Sequence, residues 1–172
     1  MASEGVPVVV VMGVSGSGKT TVGMLLAQRF DVEYGEADDF HPQANVDKMA
    51  AGQPLDDDDR RPWLAAIGTW LGEHQDTGAV ATCSALKEEY RDTLRRRAPS
   101  AAFLHLHGSR RMLEERMGRR SGHFMPASLL DSQLEILEPL SEEERGLSVD
   151  VALTPEEIVD RFVVWWQEHA GG

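Results

Sequence analysis

The chain has 172 residues, a formal net charge of −12, an ordinary globular composition and one cysteine, Cys83. This length suits a single domain with a full core. The charge argues against nucleic acid or an anionic membrane as partner, and a lone cysteine excludes an intramolecular disulfide or a cysteine-based zinc cluster. No stretch approaches the roughly 18 apolar residues of a membrane span, and Met1 to Pro7 lack the layout of a signal peptide. A cytoplasmic enzyme is the expectation.

Val6 to Met12 is a continuous apolar run, the pattern of a strand buried on both faces of a parallel sheet. Gly13-Val14-Ser15-Gly16-Ser17-Gly18-Lys19-Thr20 follows and matches the phosphate-binding P-loop G-x-x-x-x-G-K-[ST]. The glycines free the backbone N–H groups to wrap a triphosphate, and the N-terminus of the next helix adds partial positive charge. Lys19 is expected to reach the β- and γ-phosphates, and the Thr20 hydroxyl to ligate Mg²⁺. The helix runs from Lys19 to about Phe30, with Thr21 beside the phosphates.

Val32 to Ala37 reads as a weaker strand. Asp38 to Pro42 reads as a loop, and a short helix extends through Met49 until Gly52-Gln53-Pro54-Leu55 breaks it. Asp56 to Asp59 precedes a helix ending near His74. Carboxylates suit a helix N-terminus, and capping is preferred here to a metal site. Trp63, Leu64, Ile67, Trp70 and Leu71 recur at helical spacing and face the core.

Beyond them, 79–83, 101–107 and 147–153 read as strands, and 86–97, 109–119 and 128–138 as helices, with a break at 121–126. Thr154-Pro155-Glu156-Glu157 starts the last helix, whose apolar face is Val159, Phe162, Val163 and Trp166. Strands and helices alternate about five times, which predicts an α/β fold with a parallel sheet covered on both sides. The insertions at about 42–60 and 118–128 are candidate moving parts over the C-terminal edge of the sheet.

Neither the N-K-x-D nor the D-x-x-G motif of GTPase switches occurs. The strand ending at Cys83 is followed by Ser84-Ala85, without the Asp that many P-loop ATPases place there for Mg²⁺. Glu36 and Asp38, at i and i+2, point to one side of an extended segment and are the alternative acidic pair. Asp38 is the candidate to orient or deprotonate an attacking hydroxyl, and Glu36 to hold a Mg²⁺-bound water. Arg110, Arg111, Arg116, Arg119 and Arg120 cluster beside a glycine-containing break, as a phosphate-closing lid needs. Arg110, Arg116 and Arg120 are the lid candidates for contact with nucleotide or transition state. His41, Arg60, Lys87 and Arg91 are candidates for an acceptor pocket suited to a carboxylate or phosphate. For each of these four, helix-dipole compensation, ion pairing, a surface tip or core packing is the competing account.

The P-loop, Asp38-Asp39-Phe40-His41-Pro42, Gly52 to Leu64, Cys83-Ser84-Ala85-Leu86-Lys87 through Asp92, Gly122-His123-Phe124-Met125 and Ser132-Gln133-Leu134-Glu135 together resemble the bacterial-type gluconate kinases. The likeness runs in order from about 8 to 153. It implies a P-loop α/β/α sandwich with a five-stranded parallel sheet in the order 2-3-1-4-5, in one kinase domain over 1–172. It implies ATP- and Mg²⁺-dependent phosphorylation of D-gluconate at its 6-hydroxyl, and commonly a homodimer. It adds Lys48, Ser84, His123 and Gln133 to the acceptor-side candidates. Shikimate kinases carry Asp-x-Asp where this chain has Glu36 and Asp38, so the glutamate is a departure. A kinase for another small hydroxy acid, such as shikimate, and a non-catalytic nucleotide-binding regulator are the alternative readings.

Overall fold

A computed structural model of the chain describes residues 6–14, 16–53, 55–118 and 127–169, and of these the side chains at 38, 49, 116–118 and 127–129 lie outside the description. In chain order the elements are β1 (Val8–Met12), α1 (Lys19–Phe30), β2 (Glu33–Gly35), a 3₁₀ turn (Ala37–Phe40), α2 (Gln43–Ala50), α3 (Asp57–Glu73), β3 (Ala79–Thr82), α4 (Glu88–Arg97), β4 (Ala102–His107), α5 (Arg110–Gly118), α6 (Ala127–Ile136), β5 (Gly146–Asp150) and α7 (Pro155–His169).

The five strands are all parallel, in the order β2-β3-β1-β4-β5. Alternation along β1 builds two cores. Val9 and Val11 pack with Val22 and Leu26 of α1 and with Ile158, Phe162 and Trp166 of α7. Val8, Val10 and Met12 face the other way, onto Trp63, Ile67 and Leu71 of α3 and Leu94 of α4. A strand buried on both sides has no polar face, which is why β1 reads as unbroken valine. Because the strands are parallel, the P-loop after β1, the 3₁₀ turn after β2, the loop after β3 and the start of α5 after β4 all emerge at one sheet edge.

The helices are capped by the residues their sequences offer. Asp56 and Asp59 close a capping box at α3. Thr154 and Glu157 exchange the same pair of bonds ahead of α7. The hydroxyl of Ser109 accepts from the Met112 amide. Several boundaries differ from the sequence reading by two or three residues: β1 begins at Val8 rather than Val6, β2 stops at Gly35 rather than Ala37, α4 begins at Glu88 rather than Leu86, α6 ends at Ile136 rather than 138, and β5 ends at Asp150 rather than Leu153.

Near the end of α3, Gly72 lets α4 approach. A Cβ there would stand 2.5 Å from the carbonyl oxygen of Arg97. Alanine gains about 1 kcal/mol of helix propensity over glycine. Backbone oxygen cannot move aside cheaply, however, so the clash wins. Gly72→Ala is expected to lower the unfolding free energy by about 1–3 kcal/mol, read as a lower urea midpoint at constant slope.

Candidate active site

The phosphate cradle is built where β1 turns into α1. Gly16 and Gly18 have φ of 83° and 95°, left-handed values that side chains with a Cβ resist. At Gly13 a Cβ would lie 2.7 Å from the Leu106 carbonyl oxygen and 2.8 Å from the Ser17 hydroxyl. The N-terminus of α1 has no side-chain cap and no acidic residue in its first turn. Its amides therefore remain available to an anion, as a P-loop requires. The Lys19 ammonium donates to the carbonyl oxygens of Gly13 (2.8 Å) and Val14 (3.1 Å), folded over the loop. Ser17 is buried, and Thr21 is exposed on the first turn of α1.

Opposite Thr20 stands Glu36. The Thr20 hydroxyl lies 3.1 and 3.2 Å from its two carboxylate oxygens. The Tyr34 phenol donates to Oε1 at 2.5 Å and the Thr82 hydroxyl to Oε2 at 3.0 Å. Burial and then the neighbouring carboxylate push the Tyr34 phenol well above its ordinary range, so it stays a donor. Among the described residues no cluster of three or more His, Cys, Asp or Glu is arranged for a metal. One hydroxyl beside one carboxylate nevertheless suits Mg²⁺, which keeps waters and phosphate oxygens rather than an all-protein cage. Thr20 and Glu36 are the residues that would hold it.

Two residues beyond Glu36, Asp38 lies in the 3₁₀ turn; its side chain is outside the described residues. That turn is fixed from both ends of Ala37. Its amide donates to Thr82 Oγ1 at 3.1 Å, and its carbonyl accepts from the Trp63 indole at 2.7 Å. Trp63 also stacks on His41, with centroids 4.4 Å apart, and Asn45 Nδ2 lies 3.3 Å from His41 Nδ1.

The acceptor-side cations are matched with carboxylates. Lys48 meets Asp59 at 2.6 Å. Hydrogen bonds first from Lys48 and then from the Asp56 amide hold the Asp59 carboxyl below its ordinary range. Arg60 and Lys87 converge on Asp57, at 3.5 and 3.8 Å, and the Tyr90 hydroxyl donates to the same carboxylate at 2.6 Å. The Tyr90 bond, then the two cations, lower the Asp57 carboxyl. Ser84 joins this side to the cradle, its carbonyl accepting from the Gly13 amide at 3.3 Å.

Arg91 is placed differently from the expectation. Its side chain is wholly buried against Glu144. Arg110 pairs with Glu114 of its own helix and with Asp131 of α6. Gln133 is half-buried on α6. Arg116 lies in α5 with its side chain outside the described residues, and Ser15, Arg119, Arg120 and His123 lie outside them altogether, as does most of the expected lid at 118–128. Tyr34, Asp57, Thr82, Tyr90 and Glu144 are contributors that the sequence reading did not name. Tyr34 was the accessible one, two residues before Glu36 on the same side of the strand.

Residues 15–165 match the shikimate kinase family model. The chain is 48% identical over 160 residues to a gluconokinase of Gluconobacter oxydans (strain 621H), covering 92% of this chain and 90% of that one. It belongs to the gluconokinase family. The thermosensitive gluconokinase of Escherichia coli K12 is 44% identical over 146 residues, 83% of this chain and 78% of the relative. The crystal structure of a gluconokinase from Sinorhizobium meliloti 1021 superposes with a TM-score of 0.85 at 50% identity, over 95% and 93% of the two chains. Shikimate kinase from Acinetobacter baumannii, at 18% identity and a TM-score of 0.65, shares the fold. As a gluconokinase-family kinase the protein is a phosphotransferase, and the P-loop fold and the 2-3-1-4-5 sheet order stand as expected.

Cys83 follows β3 and leads into the 84–87 loop, and burial pushes its thiol up to about 12. A thiol kept protonated and inaccessible is unreactive. The native kinase is expected to give no thiol signal with Ellman's reagent at pH 8, and one equivalent once unfolded in guanidinium.

Proposed function

We propose that this chain transfers the γ-phosphoryl group of ATP to the 6-hydroxyl of D-gluconate, giving 6-phosphogluconate and ADP. One observation carries the catalytic part: Glu36, held against the P-loop threonine, draws the turn that bears Asp38 up to the phosphate cradle. Family membership supplies the choice of gluconate.

In this reading the P-loop amides and Lys19 hold the triphosphate, and Lys19 leaves its carbonyl partners for phosphate oxygens. Asp38 orients the 6-hydroxyl and takes its proton as the oxygen bonds to the γ-phosphorus; the bond to the β–γ bridging oxygen breaks and ADP departs. His41, Lys48, Arg60, Lys87 and Ser84 line the acceptor side, where Arg60 and Lys87 exchange part of their attachment to Asp57 for the substrate carboxylate. Gln133 and His123 contact the acceptor, and Arg110, Arg116 and Arg120 neutralise charge on the nucleotide and the transferring group. Thr20, and Glu36 through a water, would hold Mg²⁺, whose charge would offset that of the phosphates.

No helix among the described residues is long and apolar enough to cross a membrane, and a cytoplasmic homodimer remains part of the proposal. Light scattering on the purified chain reads the oligomeric state, with twice the 19.0 kDa chain mass expected.

The coupled assay offers ATP with gluconate, shikimate and other sugar acids. Turnover with gluconate is expected; turnover only with another acid would move the assignment to that substrate. Asp38→Asn is expected to lower kcat by about 10²–10⁴-fold while ATP affinity stays nearly constant in calorimetry. Full activity in that variant would remove Asp38 from proton transfer.

A further inference from the structure

Behind the acceptor loop lies an ion pair that the reaction as described leaves unused. The Arg91 side chain of α4 is 0% exposed, and that of Glu144, between α6 and β5, is 2% exposed. Arg91 Nε donates to Glu144 Oε1 at 2.7 Å, and Arg95 reaches the same oxygen at 3.2 Å. The Ser141 amide donates to Oε2 at 3.0 Å. Burial raises the Glu144 carboxyl, but Arg91, the Ser141 amide and Arg95 outweigh it, so the group is held below its ordinary value and stays ionised. Burying such a pair is costly, and hydrophobic replacements often match it in stability. What it fixes in place is therefore the informative question.

The remaining Arg91 nitrogens answer it. Nη1 donates to the carbonyl of Ala85 at 2.8 Å and Nη2 to that of Pro139 at 3.4 Å. Ala85 has φ of 45°, and only Asp31 shares a positive φ among the described non-glycine residues. Asp31 ends α1 as a C-cap, an ordinary left-handed position. Ala85 has no such excuse, and a strained residue persists only where its surroundings over-determine it. On one side of it, Ser84 accepts from the P-loop amide of Gly13; on the other, Lys87 reaches Asp57. A second stitch runs parallel. The Glu138 amide donates to the Leu86 carbonyl at 2.7 Å, and its carboxylate accepts from the Glu88 amide at 2.9 Å.

We propose that Arg91 and Glu144 are positioning residues that hold the Ser84–Lys87 loop in its left-handed conformation and tie the acceptor side of the site to the segment following α6. The inference rests on the proposed function only in taking this loop to face the acceptor. Guanidinium is required because three acceptors diverge around one planar fork; an ammonium presents a point charge and cannot span them.

Glu144→Gln keeps the side-chain volume and one acceptor, Arg91→Lys keeps the charge, and Ala85→Gly tolerates φ of 45° while opening other backbone conformations to the loop. Each is assayed for gluconate KM, ATP dissociation constant and amide hydrogen exchange. Gluconate KM is expected to rise about tenfold or more in Arg91→Lys, as small misplacements near a reacting group cost that much. A smaller rise is expected in Glu144→Gln and Ala85→Gly, with ATP affinity changed less than about twofold in all three. In Arg91→Lys and Glu144→Gln the Glu88 and Glu138 amides should exchange faster while those of β1 and α1 keep their protection. Unchanged exchange at Glu88 and Glu138, or an equal loss of protection throughout β1 and α1, would overturn the clamp. So would a lowered Tm with gluconate KM unmoved. Absence of gluconate turnover in the parent protein would overturn the proposed function alone, because the exchange measurement still decides the clamp.

Discussion

The carboxylate of Glu36 is the point on which the site depends. Three hydroxyls from three elements meet it: Thr20 at the start of α1, Tyr34 in β2 and Thr82 in β3. A half-buried carboxylate is costly unless its lone pairs are satisfied, and here the donors that satisfy it belong to the cradle and to the two strands beside it. The chain turns at Ala37 because Thr82 serves both neighbours, donating to Glu36 and accepting from the Ala37 amide. Distance between nucleotide cradle and acceptor turn is thus set by hydrogen bonds rather than by a flexible loop. The glutamate reaches one methylene further than an aspartate would, and Tyr34 and Thr82 hold the longer side chain still.

In the proposed function Lys48, Arg60 and Lys87 serve the acceptor, and such cations must be kept from binding anions indiscriminately. Pairing does this. Lys48 is taken by Asp59, and Arg60 and Lys87 share Asp57. A passing anion has to displace a carboxylate already in contact, whereas a sugar acid with several hydroxyls offers further hydrogen bonds in exchange. On that proposal selectivity comes from the sum of contacts, as where a site rejects partners that leave its polar groups unpaired.

Features set by residue type were legible in the sequence. Only glycine suits the backbone at 16 and 18, and an unbroken valine run belongs in a strand covered on both sides. Features set by distant partners were not. Val32 to Ala37 reads as one strand, yet β2 ends at Gly35 because the Trp63 indole, 26 residues on, and Thr82, 45 residues on, take the polar groups of Ala37. Arg91 reads as one more cation beside Lys87. Its partner Glu144 lies 53 residues further along, in a stretch of glutamates where nothing local marks one as buried. α4 starts late because Lys87 is extended, at φ −105° and ψ 147°, and stands as its N-cap.

The acidic run at 56–59 shows why capping and chemistry need not be rival accounts. Asp56 and Asp59 close the capping box of α3 by exchanging backbone and side-chain bonds. That use engages one oxygen of Asp56 and Oδ2 of Asp59, and the same Oδ2 also receives Lys48. Asp57 has no part in the box, so its carboxylate is available to Arg60, Lys87 and Tyr90. A helix start that needs acidic residues for its own termination therefore also supplies counterions to the cations beside it, at no cost in additional buried charge. Position 57 is where the two demands separate. A neutral residue there would leave the cap intact while releasing two cations, so the helix would persist and the electrostatics of the acceptor side would change.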